Sequence, residues 1–249
     1  MKVGAVTDVG KVRDNNEDHY WVLEDPLMLF IVADGMGGHN SGEVASELAI
    51  ETIKEHLLKY ILDENEDESI KGIIFEAFNR ANTEILNRSN QDDGCDGMGT
   101  TATLALYHED KLYIGHIGDS RGYIIKEGKI KQITQDHSLV AELLRKGSIS
   151  EREALKHPQK NIITKALGTD QQVKADVFSI DFSVGDTLIL CTDGLSNFVD
   201  QYEIEKYALE MEDCQRACQE MVDLANFRGG YDNITIIMIK NNLLNGEGR

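Results

Sequence analysis

Proline is nearly missing from this chain: Pro26 and Pro158 are the two in 249 residues. No low-complexity tract divides the sequence, and its most charge-rich, core-poor stretch, Leu62 to Ser69, is too short to link domains. A single domain over residues 1–240 with a polar tail at 241–249 is therefore expected. Cysteine is scarce too. Cys95, Cys191, Cys214 and Cys218 form no CxxC pair, so buried thiols in a reducing compartment fit them better than structural zinc. Long apolar runs are absent. The start, MKVGAVTDVG, has no signal-peptide core and nothing approaches a membrane span, so a cytoplasmic protein away from membranes is expected.

Positive charge is in deficit, with 25 Lys and Arg against 44 Asp and Glu, a formal charge of -19. Such a field repels nucleic acid and anionic membranes, and neither is an expected partner. It leaves room for a phosphorylated partner where local cations cancel the repulsion, although plain solubility accounts for most of the excess. Familiar cofactor signatures are missing as well. There is no HExxH, no EF-hand loop, no Gly-Lys-Ser/Thr of a P-loop and no GxGxxG after an opening strand.

What is present begins with short, β-branched apolar runs that read as buried strands: 27–33, 101–107, 112–117, 122–125, 187–191 and 234–239. The stretch from Leu104 to Thr134 reads as one antiparallel meander, with Lys126–Lys129 as a hairpin turn. Two long helices lie between the strand groups. One starts at a capping box over Asn40 to Glu43 and carries Val44, Leu48, Ile53 and Leu57 on one face; the other carries Ile70, Ile74, Phe78 and Ile85. A third stripe runs from Cys214 to Ala225, and Asp200 with Glu203 caps a short helix before it. One-sided helices need a sheet to cover, so an α+β fold of two stacked sheets with helices outside satisfies every face. Segment 136–169 has thinner apolar content; it reads as a mobile surface excursion beside the site or as an ordinary helical insertion.

The strongest chemical signal is repetition. Strand LFIVA runs into Asp34-Gly35, LYIGHI into Gly118-Asp119, LILCT into Asp193-Gly194, and Asp232-Asn233 leads into ITIIMI. One Asp-Gly is a common turn. Four acidic residues at the ends of core strands need hydrogen bonds, cationic partners or metal ions to stay ionised. Oxygen-only donors suit hard ions such as Mg²⁺ or Mn²⁺. Asp34, Asp193 and Asp232 are the first candidates as ligands, with Asp119 serving a further ion. Gly35 offers a tight turn and a bare backbone carbonyl.

Around these lie residues with two readings each. Arg13 can fork onto phosphate oxygens or make a local salt bridge. Glu17 and Asp18 can hold metal-bound waters or cap a turn. His39 can protonate a leaving alkoxide or position the helix after it. Cys95 has no histidine spaced to activate it and reads as a spectator thiol.

Taken in order, Arg13 to Asp18, Val32 to His39, Gly99 to Thr101, Gly118 to Arg121, Cys191 to Leu195 and Asp232 to Thr235 closely resemble the PPM/PP2C family of metal-dependent serine/threonine phosphatases, in its bacterial form. The resemblance implies a four-layer α-β-β-α sandwich with two central antiparallel sheets. It implies a pair of Mn²⁺ or Mg²⁺ ions bridged by Asp34, with the Gly35 carbonyl, Asp193 and Asp232 as further ligands and Asn233 in the outer shell. A third ion would sit between Asp119 and Asp193, Arg13 would bind phosphate, and a flap would span 136–169. The implied reaction is hydrolysis of phosphoserine or phosphothreonine by a metal-activated water, without a phosphoenzyme, opposing a serine/threonine kinase. Met36 stands where many animal relatives carry a general-acid histidine. Rival readings are a small-molecule phosphomonoesterase, a phosphodiesterase, or a phosphoprotein-binding domain without activity.

Overall fold

The computed structural model describes residues 1–37, 41–62, 66–154 and 156–242. Two antiparallel sheets stack face to face. The first runs β1 (Lys2–Asp8), β11 (Ile234–Lys240), β10 (Thr187–Cys191), β7 (Arg121–Lys126) and β8 (Lys129–Gln132). The second runs β2 (Asp18–Leu23), β3 (Met28–Met36), β5 (Ala102–His108), β6 (Lys111–Ile117) and β9 (Asp176–Asp181), with the short β4 (Gly99–Thr100) added beside β3. Helices α1 (Ser41–Tyr60) and α2 (Asp67–Gln91) cover the second sheet, and α6 (Gln201–Glu210) and α7 (Cys214–Phe227) cover the first. The result is the expected four-layer sandwich.

Strand period explains the layering. In β3, Leu29 and Ile31 point outward onto α1 and α2, while Phe30 and Val32 point inward to meet Leu188, Leu190 and Ile237 of the opposite sheet. A strand covered on both faces needs an unbroken apolar run, which LFIV supplies. On the far side, Ile189, Ile236 and Met238 pack against Cys218, Met221 and Val222. All four cysteines are buried free thiols, and Cys218 Sγ lies 3.5 Å from the Gly4 carbonyl. The capping box of Asp200 and Glu203 forms at the start of α6. Asn40, part of the box expected before α1, lies outside the described residues.

Two expectations change. The meander from 104 to 134 is split: β5 pairs β6 in one sheet and β7 pairs β8 in the other, and no ladder joins β6 to β7. The chain crosses between sheets at Gly118, whose φ of 109° a side chain rarely tolerates. Nor does Asp34-Gly35 form a turn. Strand β3 continues through both residues to Met36. Gly35 is required by close approach instead, since a Cβ there would stand 2.0 Å from the Gly42 carbonyl oxygen and 2.6 Å from that of Glu17.

Segment 136–169 carries α3 (Leu139–Arg145) and α4 (Glu151–Ala154), neither with a buried side chain. Its roots are fixed by His137 N donating to the Gly118 carbonyl at 2.8 Å and by Leu167 N donating to Thr100 at 2.9 Å.

Candidate metal centre

Four chain segments bring acidic residues to one end of the stacked sheets. Asp34 sits in β3, and its backbone is pinned by Thr101, whose Oγ1 accepts from the Asp34 N–H at 3.0 Å, and by Thr100, whose hydroxyl donates to the Asp34 carbonyl at 2.9 Å. Asp119 occupies the crossing between β6 and β7. Asp193 is the first residue of the short α5 (Asp193–Ser196), where Asn197 Nδ2 donates to its Oδ2 at 3.1 Å. Asp232 precedes β11. Gly194 lets these last two segments touch, because a Cβ there would lie 1.9 Å from the Asn233 carbonyl oxygen.

The N-terminal loop is stitched to the same place. Asn233 Nδ2 donates to the carbonyls of Val9 and Asn15, both at 2.9 Å, while its Oδ1 accepts from Glu17 N–H at 2.8 Å. Arg13 Nη2 lies 3.0 Å from the Asp232 carboxylate. The Glu17 carboxylate is packed against Gly42 at the N-terminus of α1, where backbone N–H groups favour an anion. Burial pushes the Glu17 carboxyl upward, against the pull of Arg13 and the Gly42 N–H.

Asp18, expected in the outer shell, lies in the same cluster. It is buried, and its Oδ2 accepts from Thr192 Oγ1 at 2.8 Å and Thr235 Oγ1 at 2.7 Å. Both threonines lie within motifs singled out in the sequence, where no role was assigned to either.

The electrostatics show convergence. Burial pushes Asp18 up to about 7 despite its threonine partners, with Asp193 and Asp232 adding repulsion. Burial likewise raises Asp119 to about 7 and Asp193 to about 6, with Asp193 and Asp232 their respective leading repulsive neighbours. Asp34 is raised well above the carboxylate range, by burial first and then by Asp18, Asp193, Asp119 and Asp232. So much like charge at low dielectric is unstable alone.

Two carboxylate oxygens, Asp18 Oδ1 and Asp119 Oδ1, are buried without a hydrogen-bond partner. Hard oxygen donors, mutual repulsion and orphaned acceptors fit a divalent cation. Among the described residues, no group of three or more His, Cys, Asp or Glu side chains is closed tightly enough to enclose an ion as it stands. His39 lies outside the described residues.

Two further clusters were missed as partners. Arg121 clamps Asp136 through Nε at 3.0–3.1 Å and Nη2 at 2.7 Å, bordering a cavity of about 440 Å³ that Asp119, Asp193 and Lys160 also line. Buried His116 stacks on His137 with ring centroids 5.1 Å apart, and His137 Nδ1 accepts from the Gly118 N–H at 3.1 Å, behind Asp119. Nothing in the spacing of these two histidines along the chain signals their pairing.

Comparison with known proteins agrees. The chain is 39% identical to the serine/threonine phosphatase stp of Listeria innocua over 240 residues, covering 96% of this chain and 95% of that protein. The Mycobacterium tuberculosis serine/threonine phosphatase PstP/Ppp superposes with a TM-score of 0.86 at 34% identity, covering 95% of this chain and 97% of that one. The catalytic domain of the phosphatase PstP in complex with 2 manganese ions gives 0.84 at 33% identity, over 95% and 96%. The family model for protein phosphatase 2C matches residues 11–227, and the chain belongs to that family.

Proposed function

We propose that this protein hydrolyses phosphoserine and phosphothreonine in proteins with the help of divalent cations held by Asp34, the Gly35 carbonyl, Asp193 and Asp232. The observation that carries this reading is the convergence of carboxylates from separate strand ends, with buried oxygens left unpartnered. Family membership supports protein-serine/threonine phosphatase activity. Mn²⁺ or Mg²⁺ suits the donors, and manganese is what the PstP catalytic domain holds. A third ion is assigned to Asp119 with Asp193.

Bound ions would neutralise phosphate charge and make water acidic enough to act as a nucleophile near neutral pH. The chain's own residues do the rest. Arg13, on an exposed loop beside Asp232, supplies a planar fork for two phosphate oxygens. Asn233 holds that loop against β11 so that the fork is fixed relative to the carboxylates. Thr100 and Thr101 hold the Asp34 backbone, and Thr192 and Thr235 hold Asp18 behind it. His39 is the proposed proton donor to the leaving side-chain oxygen, since Met36 has no titratable group. No side chain is assigned as nucleophile, so no phosphoenzyme forms. A serine/threonine kinase is the proposed opposing partner.

The test is hydrolysis of a phosphothreonine peptide with Mn²⁺ and with EDTA. Activity is expected only with the metal, and Asp34→Ala or Asp193→Ala should lower it at least about a hundredfold. Undiminished metal-dependent turnover in those variants would remove both from the site. Arg13→Ala should chiefly raise KM, and unchanged kinetics would remove Arg13.

A further inference from the structure

One exposed ring adjoins this site along the chain. Tyr231, the residue before Asp232, is 61% exposed, and its ring lies 5.8 Å from that of Phe198 at an interplanar angle of 42°. Phe198 follows Asn197, the residue that holds Asp193. The two rings thus grow from the same two segments that deliver Asp193 and Asp232.

Their placement is fixed by the backbone. Gly229 has a φ of 139°, and a Cβ there would lie 2.3 Å from the Tyr231 ring, so the ring lies across the glycine. Arg228 Nη1 donates to the Phe198 carbonyl at 2.6 Å while its guanidinium grips Glu203, which ties the end of α7 to the Phe198 segment. Phe227, at the end of α7, is 83% exposed. Phe198 packs partly against the core beneath α6 and α7, while Tyr231 is left in water next to Asp232 in a chain of charge -19, apolar surface where charge would be expected.

We propose that Tyr231, with Phe198, is a specificity platform for an apolar side chain flanking the phosphorylated residue of the substrate polypeptide. This rests on the phosphoprotein reading above. A phosphoresidue that reaches Arg13 and Asp232 must carry its neighbours past the residue beside Asp232. Along an extended chain, side chains on one face recur about every 7 Å, so a residue two positions from the phosphate falls at the distance of a ring next to the centre. The occupant is apolar because the rings offer faces and no charge, and the surrounding field disfavours acidic neighbours.

The experiment compares two nonapeptides centred on phosphothreonine, one with leucine at the flanking positions and one with alanine, under saturating Mn²⁺. The wild type is expected to favour the leucine peptide about threefold to tenfold in kcat/KM, through KM, as one apolar contact with a ring supplies. Tyr231→Ala and Tyr231→Ser should both erase that preference, and Tyr231→Phe should keep it. A wild type without the preference, or alanine and serine variants that retain it, overturns the proposal. So does an equal loss on both peptides, which would make the ring a prop for Asp232. If the wild type cleaves p-nitrophenyl phosphate but neither peptide, the phosphoprotein reading itself fails and takes this inference with it.

Discussion

Asp18 and Asp34 face one another as register partners across β2 and β3. Like charges directly opposite in a sheet are destabilising, and here Asp18 is buried and Asp34 half-buried. Thr192 and Thr235 compensate one oxygen of Asp18, and the other has no partner. Asp18→Asn should therefore raise the stability of the EDTA-treated protein at pH 8, by about 2 kcal/mol, because the buried charge is removed while an acceptor for the threonines remains. The same variant should show a smaller rise in Tm on adding Mn²⁺. Denaturant unfolding in EDTA checks the first claim, and thermal melts with and without metal check the second.

The dependence on pH has a defined sign. Asp18 and Asp119 are raised to about 7 and Asp193 to about 6, above the ordinary carboxylate value. Groups that hold their protons more tightly when folded stabilise the fold at low pH, and that contribution is lost as pH rises through the folded value. Without metal, their contribution to stability should fall between pH 4 and pH 7. A bound cation compensates the ionised carboxylates, so the Tm shift produced by Mn²⁺ should grow from pH 5 to pH 8. A shift of constant size across that range would contradict the assignment.

Glycines separate close packing from open surface. A Cβ at Gly35 would meet backbone oxygens at 2.0 and 2.6 Å, whereas one at Gly72, inside α2, would meet nothing within 4 Å. Gly35→Ala should cost at least about 3 kcal/mol, since neither oxygen can move without displacing its strand or helix. Gly72→Ala should stabilise by about 0.5–1 kcal/mol through helix propensity. Chemical denaturation of the two variants side by side reads both effects.

Arg121 and Asp136 join the first strand of the β7–β8 hairpin to the root of segment 136–169. Removing one partner of a largely buried pair leaves the other charge uncompensated. Arg121→Met is expected to cost about 3 kcal/mol, and the double variant Arg121→Met, Asp136→Leu should recover much of it. A loss in the double variant equal to the sum of the Arg121→Met and Asp136→Leu losses would show that the pair contributes no coupling.

The layers were legible because buried strands and one-sided helices leave strong periodic signals: LFIVA and ITIIMI need cover on both faces, and the stripe from Cys214 to Ala225 needs one sheet. Apart from the two-residue β4, the strands that escaped, β1, β2 and β9, lie at sheet edges, where partly exposed residues such as Thr7, His19 and Ser179 dilute the apolar pattern. The split of the meander at Gly118 was hidden because alternation marks a strand without naming its sheet. At the site, the acidic strand ends were plain, whereas Thr192, Thr235, Arg121 and the His116–His137 stack gain their roles from partners distant in sequence. Among the described residues, no helix is long and apolar enough to cross a membrane.

Crystals grown with saturating Mn²⁺ and measured for anomalous scattering bear most directly on the central claim. Density is expected for two ions among Asp34, Asp193 and Asp232, with a further ion beside Asp119. A well-folded crystal with no anomalous density among those three carboxylates would contradict the claim.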